Sequence, residues 1–333
     1  GGTWRVPVVA HLLDRNFVAD LQRDGTYNEA SFDREYESRW TGSVEDAFFS
    51  SEAFDRNRIL QKPEYEFSGR SSSSAYYVLG MDVGRGGGKG CDSVITVLKV
   101  TPQSYGDTSL KQLVNLYTFH DMHFEDQAIM AKRLFEKYRA RRIVIDANGL
   151  GAGFVDYMVK SQNDPETGEV LPPFGVEGAT FANWRDEYNK YRTPDTIQNA
   201  MFLIKADAPF NTEAHTNAQV QLSSGKIKFL IDERTAKQKL LGTTKGRQMT
   251  AEQRAKYLNP YTLTSILEEE MVNLREKNEG VNIILERANK GIKKDKFSSL
   301  EYALYYIKQV DDNKRKRKGH FNPAQWRKLC TTI

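Results

Sequence analysis

Three aspartates stand where chemistry could be done. Asp82 closes the apolar run Tyr76-Tyr77-Val78-Leu79-Gly80-Met81, Asp146 closes Ile143-Val144-Ile145, and Asp295 heads a helical pattern over 297–304. An unbroken apolar run reads as a strand buried on both faces. A carboxylate at its end is costly to desolvate unless positive charge meets it. Carboxylates gathered from two strand ends and a helix start would offer oxygen ligands to hard divalent cations. Each aspartate also has an ordinary reading. Asp295 could be a helix N-cap, and Asp82 and Asp146 could be turn formers ahead of glycines. Two buried strands that both end in Asp form the rarer pattern, so the metal site is the preferred reading. Asp92 stays open between a turn residue leading into the next strand, the role favoured here, and a fourth carboxylate beside the metals. Arg85 and Lys89 in the glycine-rich stretch after Asp82, and Lys293, Lys294 and Lys296 around Asp295, are candidate phosphate contacts. Plain solvated loop residues are the competing reading for the three lysines around Asp295.

A nucleotide-binding loop competes for the glycine-rich stretch, but the pattern breaks in detail. A phosphate-binding loop needs Gly-Lys followed by Ser or Thr, with another Gly five residues before that Gly. Here Gly90 follows Lys89 and Val83 holds the glycine position. The five histidines are scattered, with only His120 and His123 close together, and they read as strand-end surface rather than a zinc site. No Ser-His-Asp or Cys-His arrangement can be argued.

The elements that must position these groups follow from the pattern. Strands over 76–82, 94–100 and 112–119, separated by Gly- and Pro-containing turns, predict an antiparallel meander. A helix over 125–138, a strand over 143–146 and a helix over 153–160 predict a parallel addition to that sheet. Residues 193–206 read as a helix with Thr193 as cap and Pro194 at its first position, 225–231 as a short strand, and 242–259, rich in Lys, Arg, Thr and Gln, as a mobile surface loop. A helix over 263–274, a strand over 281–285 and a helix from Asp295 to about Val310 complete the pattern. The block Lys314-Arg315-Lys316-Arg317-Lys318 repels itself and reads as a disordered tail with a secondary role on DNA. The Ser-rich stretch 68–74 reads as a linker.

At 333 residues the chain is long enough for one large domain with an appendage, or two domains. A net charge of +4 is too mild to identify a nucleic-acid partner. Two distant cysteines, Cys91 and Cys330, fit a reducing compartment without a disulfide framework. No apolar run approaches a membrane span, no signal peptide opens the chain, and Gly1-Gly2-Thr3-Trp4 reads as the start of an excised fragment.

Met81-Asp82-Val83-Gly84, Ile145-Asp146-Ala147-Asn148-Gly149 and Asp295-Lys296-Phe297-Ser298-Ser299-Leu300-Glu301-Tyr302-Ala303 resemble, in order and spacing, the acidic motifs of the nuclease domain of tailed-phage terminase large subunits. Upstream, Phe32-Asp33-Arg34-Glu35-Tyr36-Glu37-Ser38-Arg39-Trp40-Thr41-Gly42-Ser43 with Ala47-Phe48-Phe49 is similar to the stretch that closes that family's packaging ATPase. Leu267-Glu268-Glu269-Glu270-Met271-Val272-Asn273-Leu274 matches a family-like helix. The resemblance implies an α/β, ribonuclease-H-like mixed sheet, an antiparallel meander extended by parallel strands, with helices on both faces. It divides the chain into a closing ATPase segment over 1–70, a nuclease domain over 71–312 and a basic tail over 313–333. It implies a Mg²⁺- or Mn²⁺-dependent endonuclease with two ions, held by Asp82, Asp146 and Asp295, that cuts concatemeric double-stranded DNA in the bacterial host's cytoplasm during genome packaging. A portal protein and a small terminase subunit would be partners of the full-length protein. Two ions about 3.5–4 Å apart can serve the attacking water and the leaving 3′-oxygen together. Where some relatives carry a further acidic residue or a His one helical turn from the third aspartate, this chain has Lys294, Ser298 and Ser299. The alternatives are an ATP-handling domain and a non-catalytic module that docks on DNA or portal.

Overall fold

The computed structural model describes residues 46–69, 74–84, 92–103 and 108–319. The Phe32–Ser43 stretch and both cysteines lie outside them. In chain order the elements are α1 (Ser51–Arg56), β1 (Arg58–Leu60), β2 (Tyr76–Asp82), β3 (Ser93–Thr101), β4 (Leu110–Phe119), α2 (Phe124–Lys137), β5 (Arg142–Asp146) and α3 (Leu150–Met158). There follow β6 (Gln162–Asn163), β7 (Val170–Leu171), β8 (Phe174–Ala179), α4 (Ala182–Asn189), β9 (Ile197–Ile204), α5 (Ala208–Ser223), β10 (Ile227–Leu230) and α6 (Glu233–Leu241). The last are α7 (Thr244–Gln248), α8 (Ala251–Val272), β11 (Leu274–Glu279), β12 (Asn282–Arg287) and α9 (Asp295–Gly319).

Among the described residues, eight strands form one sheet in the order β1-β10-β4-β3-β2-β5-β9-β8. The β2–β3–β4 meander is antiparallel, whereas β5, β9 and β8 add in parallel on the other side of β2. This is the mixed sheet, an antiparallel meander extended by parallel strands, that was expected. Alternation along each strand sends side chains to two helical layers. Val78, Leu98, Val100 and Val144 pack with α5, α8 and α9, while Tyr77, Leu79, Met81, Ile143 and Ile145 pack with α2 and α3.

Four expectations change. Residues 197–204 are a strand, not a helix. Ala200, Met201, Leu203 and Ile204 are buried from both sides of the sheet, and pairing with β5 outweighs the local cap pattern. Thr193 instead opens a turn in which its N–H donates to Thr196 Oγ1 at 2.8 Å. Residues 242–259 are not a loop but α7 and the start of α8. Thr243 caps the first through Gly246 N–H, and Thr250 with Gln253 forms a capping box on the second. The polar composition belongs to the solvent side of these helices, while Leu258 and Tyr261 are buried beneath.

The basic block also departs from its expected disorder, since α9 runs on to Gly319. Asp311 accepts Ser109 N–H and Oγ–H, and Arg315 donates to Thr108 Oγ1. These contacts order the helix end that like-charge repulsion alone would fray. At 1.5 Å per residue, Arg315 lies about 30 Å from Asp295 along the helix.

Finally, residues 46–69 are not set apart from the rest at about residue 70. Strand β1 pairs in parallel with β10 at the sheet edge, and Phe48, Phe49 and Phe54 are core residues. Phe54 stacks on Phe229 with ring centroids 3.9 Å apart, and Phe49 meets Phe297 at 5.0 Å. Glu64 carries the segment back across the sheet, its N–H donating to Val114 O. Phe54→Ala should therefore cost about 3–5 kcal/mol in chemical denaturation. Truncation after Ser68 should remove the cooperative transition altogether. A truncated chain with the stability of the parent would show the segment to be peripheral.

Candidate metal centre

The two strand-end aspartates are brought together by register. In parallel pairing Gly80 faces Val144 and Met81 faces Ile145, so Asp82 and Asp146 come next, level at the C-terminal ends of adjacent strands. Alternation puts Asp82 on the side of Val78 and Gly80, and Asp146 on the side of Val144, which is the side covered by α9. Between β2 and β5 the chain also reverses its direction of travel across the sheet. Open α/β sheets characteristically bind ligands at such a switch point.

Helix α9 begins there with Asp295, and a close contact holds it in place. A methyl group added to Gly80 would sit 1.9 Å from the Ser299 carbonyl oxygen, so only glycine lets the helix lie this near the strand. Ser299 Oγ–H donates to Gly80 O at 2.9 Å and accepts Thr96 N–H at 2.9 Å, tying α9 to β2 and β3. Asp295 is not the N-cap. Glu270, near the end of α8, accepts the Lys296 and Phe297 N–H groups at 2.8 and 3.0 Å and caps α9 from outside. Asp295 is thereby released from capping, and its buried Oδ2 has no hydrogen-bond partner.

The field at this end of the sheet is negative. Burial, then Asp295, push the Asp82 carboxyl well above its usual range. Lys294 opposes the shift, and Asp146 and Glu270 add to it. Burial also raises Asp146, against backbone N–H groups of Asn148 and Ala206 that favour its charged form. Burial raises Asp295 too, opposed by Lys293 and Lys296 and reinforced by Asp92. Glu270 is raised by burial despite Lys296. Among the described residues no three His, Cys, Asp or Glu side chains close into a ready-made ligand cage, and the aspartates act on one another through space. The donor set fits a hard divalent cation. It consists of carboxylate oxygens whose charged form is disfavoured by burial and, at Asp82, by the neighbouring carboxylates, with one buried oxygen unpartnered; a cation would relieve both penalties.

The other candidates separate. Asp92 holds His120 Nδ1 at 2.8 Å through Oδ1 and Lys293 Nζ at 2.7 Å through Oδ2, so both its oxygens are engaged. Burial works against its charge, yet the hydrogen bonds from Lys293 and His120 carry its pKa below the usual value. Lys293 and Lys294 are exposed beside the aspartates. Lys296 is not available to phosphate, because it is buried with Nζ 3.3 Å from Glu270 Oε1. Arg85 and Lys89 fall outside the described residues. Sequence reasoning missed Glu270 and the buried His215–Glu301 pair on the same flank of α9. Glu270 had a signal, since an acidic residue lies on the buried side of the apolar pattern Leu267, Met271 and Leu274. His215 had none.

Two outcomes follow from this geometry. Gly80→Ala should cost at least about 1–3 kcal/mol by overpacking and should weaken binding of Mn²⁺ by displacing Asp295, both readable by calorimetry. The second concerns charge. A carboxyl with a raised folded pKa binds more protons folded than unfolded. Its stabilising contribution is complete below the unfolded value of about 3.9 and is lost as pH rises through the folded one. In chelator at neutral pH, Asp82→Asn should therefore melt higher than the parent, and it should lose the further rise in melting temperature that Mg²⁺ gives the parent. A lower melting temperature in chelator would show that Asp82 is not a strained charge.

No protein-family model matches the chain, and no curated protein matches it. Among solved structures it is similar to the large terminase nuclease of thermophilic phage G20c with bound magnesium, at 14% identity over 78% of this chain and 97% of that one, with a TM-score of 0.42. It is similar to the Thermus phage P74-26 large terminase nuclease domain at 15% identity, 77% and 93% coverage and a TM-score of 0.40. It is likewise similar to the nuclease domain of the large terminase subunit gp2 of bacterial virus Sf6, at 8% identity, 78% and 98% coverage and a TM-score of 0.41.

Proposed function

We propose that the chain is a metal-dependent DNA endonuclease. The observation that supports this reading is that Asp82 and Asp146 end two adjacent strands level with each other, while Asp295, at the start of α9, acts on Asp82 through space, and burial disfavours each of the three as a bare carboxylate. Asp82 is electrostatically coupled to both of the others and would be the ligand shared by two Mg²⁺ or Mn²⁺ ions, with Asp146 holding one ion and Asp295 the other. Such ions supply positive charge at the scissile phosphate and orient the attacking water and the leaving 3′-oxygen. Asp92 keeps Lys293 and His120 at the rim. Lys294, exposed and close enough to act on Asp82, is placed to meet an approaching phosphate. Glu270 and Ser299 fix the start of α9 and so the position of Asp295.

The motif order extends the reading to substrate and setting. The chain cuts concatemeric double-stranded DNA during packaging of a tailed-phage genome in the host cytoplasm. The longer protein would also contact a portal protein and a small terminase subunit, and residues before 46 would close its ATPase. Among the described residues no helix is long and apolar enough to cross a membrane.

Nicking of supercoiled plasmid, followed with Mg²⁺, Mn²⁺ and chelator, tests the reaction. The parent should cut with either metal and not with chelator. Asp146→Asn, which keeps the side-chain volume and removes the charge, should abolish cutting while far-UV circular dichroism stays unchanged. Full activity in that variant would remove the aspartates from the reaction.

A further inference from the structure

On the β1 side of the sheet, α7 and the first turns of α8 enclose a cleft of about 550 Å³ that is open to solvent and closed on its far side by Tyr65. Its volume falls within the range of about 300–1,000 Å³ usual for small-molecule sites. None of its lining residues belongs to the aspartate cluster. Tyr65 and Tyr257 supply the aromatic walls. Tyr257 is backed by Tyr261, 5.9 Å away between ring centroids, and Tyr261 is in turn held by a hydrogen bond from its hydroxyl to Gln61 O at 2.8 Å. The Tyr257 side of the aromatic wall is therefore braced from behind.

Lys245 and Lys256 line the same cleft, and among the described residues neither has a carboxylate partner. Surface lysines elsewhere in the molecule commonly do, as Lys308 and Lys277 show. Gln248 and Gln253 add carboxamides. The Gln253 Oε1 already accepts Thr250 N–H at 3.0 Å in the capping box, which leaves its amide nitrogen to donate. Two tyrosine rings, two unpaired ammonium groups and amide donors match one chemical unit well: an unpaired nucleobase with its phosphate. The base stacks on the ring, the ammonium groups take the phosphate, and the carboxamides meet the base edge. Paired bases in a duplex present no free face to the tyrosines.

We propose that this cleft binds an unpaired nucleotide, either as a free nucleoside monophosphate or as one unit of a single strand. The site stands apart from the aspartates, and its binding needs no metal.

The test uses the whole chain in EDTA, so the aspartate cluster contributes nothing through a metal. Binding of fluorescein-labelled ten-residue oligothymidylate is measured by anisotropy over a salt series, with unlabelled dTMP and a ten-base-pair duplex as competitors. Tyr257→Ala should weaken binding of the strand roughly tenfold, in keeping with loss of one stacked base, and Tyr257→Phe should restore it. Lys245→Ala with Lys256→Ala, both at exposed positions, should weaken binding without lowering the melting temperature. This pair should also flatten the log–log salt slope by about 0.7 for each phosphate left without its ammonium partner. Competition by dTMP would identify a site filled by one nucleotide. Competition only by the unlabelled strand would identify one that needs neighbouring phosphates. Parental affinity in both the Tyr257→Ala and the double-lysine variants would overturn the proposal. So would a loss in the lysine variant alone, the signature of a surface that reads only charge.

Discussion

The close approach of α9 to β2 at Gly80 is the constraint on which the rest of this molecule depends. A strand in the middle of a sheet ordinarily carries side chains that hold a covering helix off its backbone. Here the missing side chain lets the Ser299 carbonyl press against the strand, and the Ser299 hydroxyl takes over bonds to Gly80 and Thr96. Leu300, Ala303, Leu304 and Ile307 follow into the core beneath. The start of the helix is thereby fixed over the end of β2, and Asp295 is brought within electrostatic reach of Asp82.

That arrangement concentrates acid, and the surrounding chain answers it at graded depths. Glu270 is buried but caps α9 and is met by Lys296, so its charge is useful to the fold. Glu301 is buried and met by His215. Asp92, at the rim, is satisfied by His120 and Lys293. The three aspartates are the group left under-compensated, and Asp295 keeps a buried oxygen with no partner. Glu270, Glu301 and Asp92 each have a basic side-chain partner at hydrogen-bond distance. Burial instead raises the pKa of each of the three aspartates, with lysines acting on Asp82 and Asp295 only through space, an imbalance of the kind that also occurs at functional sites.

The periphery obeys a different logic. Residues 46–69 add an edge strand and three phenylalanines to the core, and the segment then recrosses the sheet to hydrogen-bond Tyr77 and Tyr138. Helices α7 and α8 cover the same edge and leave a cleft between their polar faces and Tyr65. The basic end of α9 lies about 30 Å along the helix from Asp295, a separation that a contact with the same phosphate cannot bridge.

Strands β2, β3, β4 and β5, their antiparallel and parallel senses, and the aspartates Asp82 and Asp146 at the ends of β2 and β5 were legible in the sequence. Each is written in a local pattern: an apolar run, a turn and a terminal carboxylate. Helix α2 was legible for the same reason. The strand at 197–204 was not, because its five-residue apolar core fits helix or strand equally until β5 and β8 pair with it. Helix α7 and the first turns of α8 looked like a loop because a helix with one wetted side and few apolar residues differs little in composition from a polar turn. Glu270 as the cap of α9, Lys296 as its buried partner and Gly80 as the seat of Ser299 join residues 26 to 219 positions apart. The sequence by itself determined that two carboxylates end buried strands and a third heads a helix. Only the tertiary structure decided which charges would be neutralised by neighbours and which would be left strained, because that depends on what each carboxylate meets when water is removed.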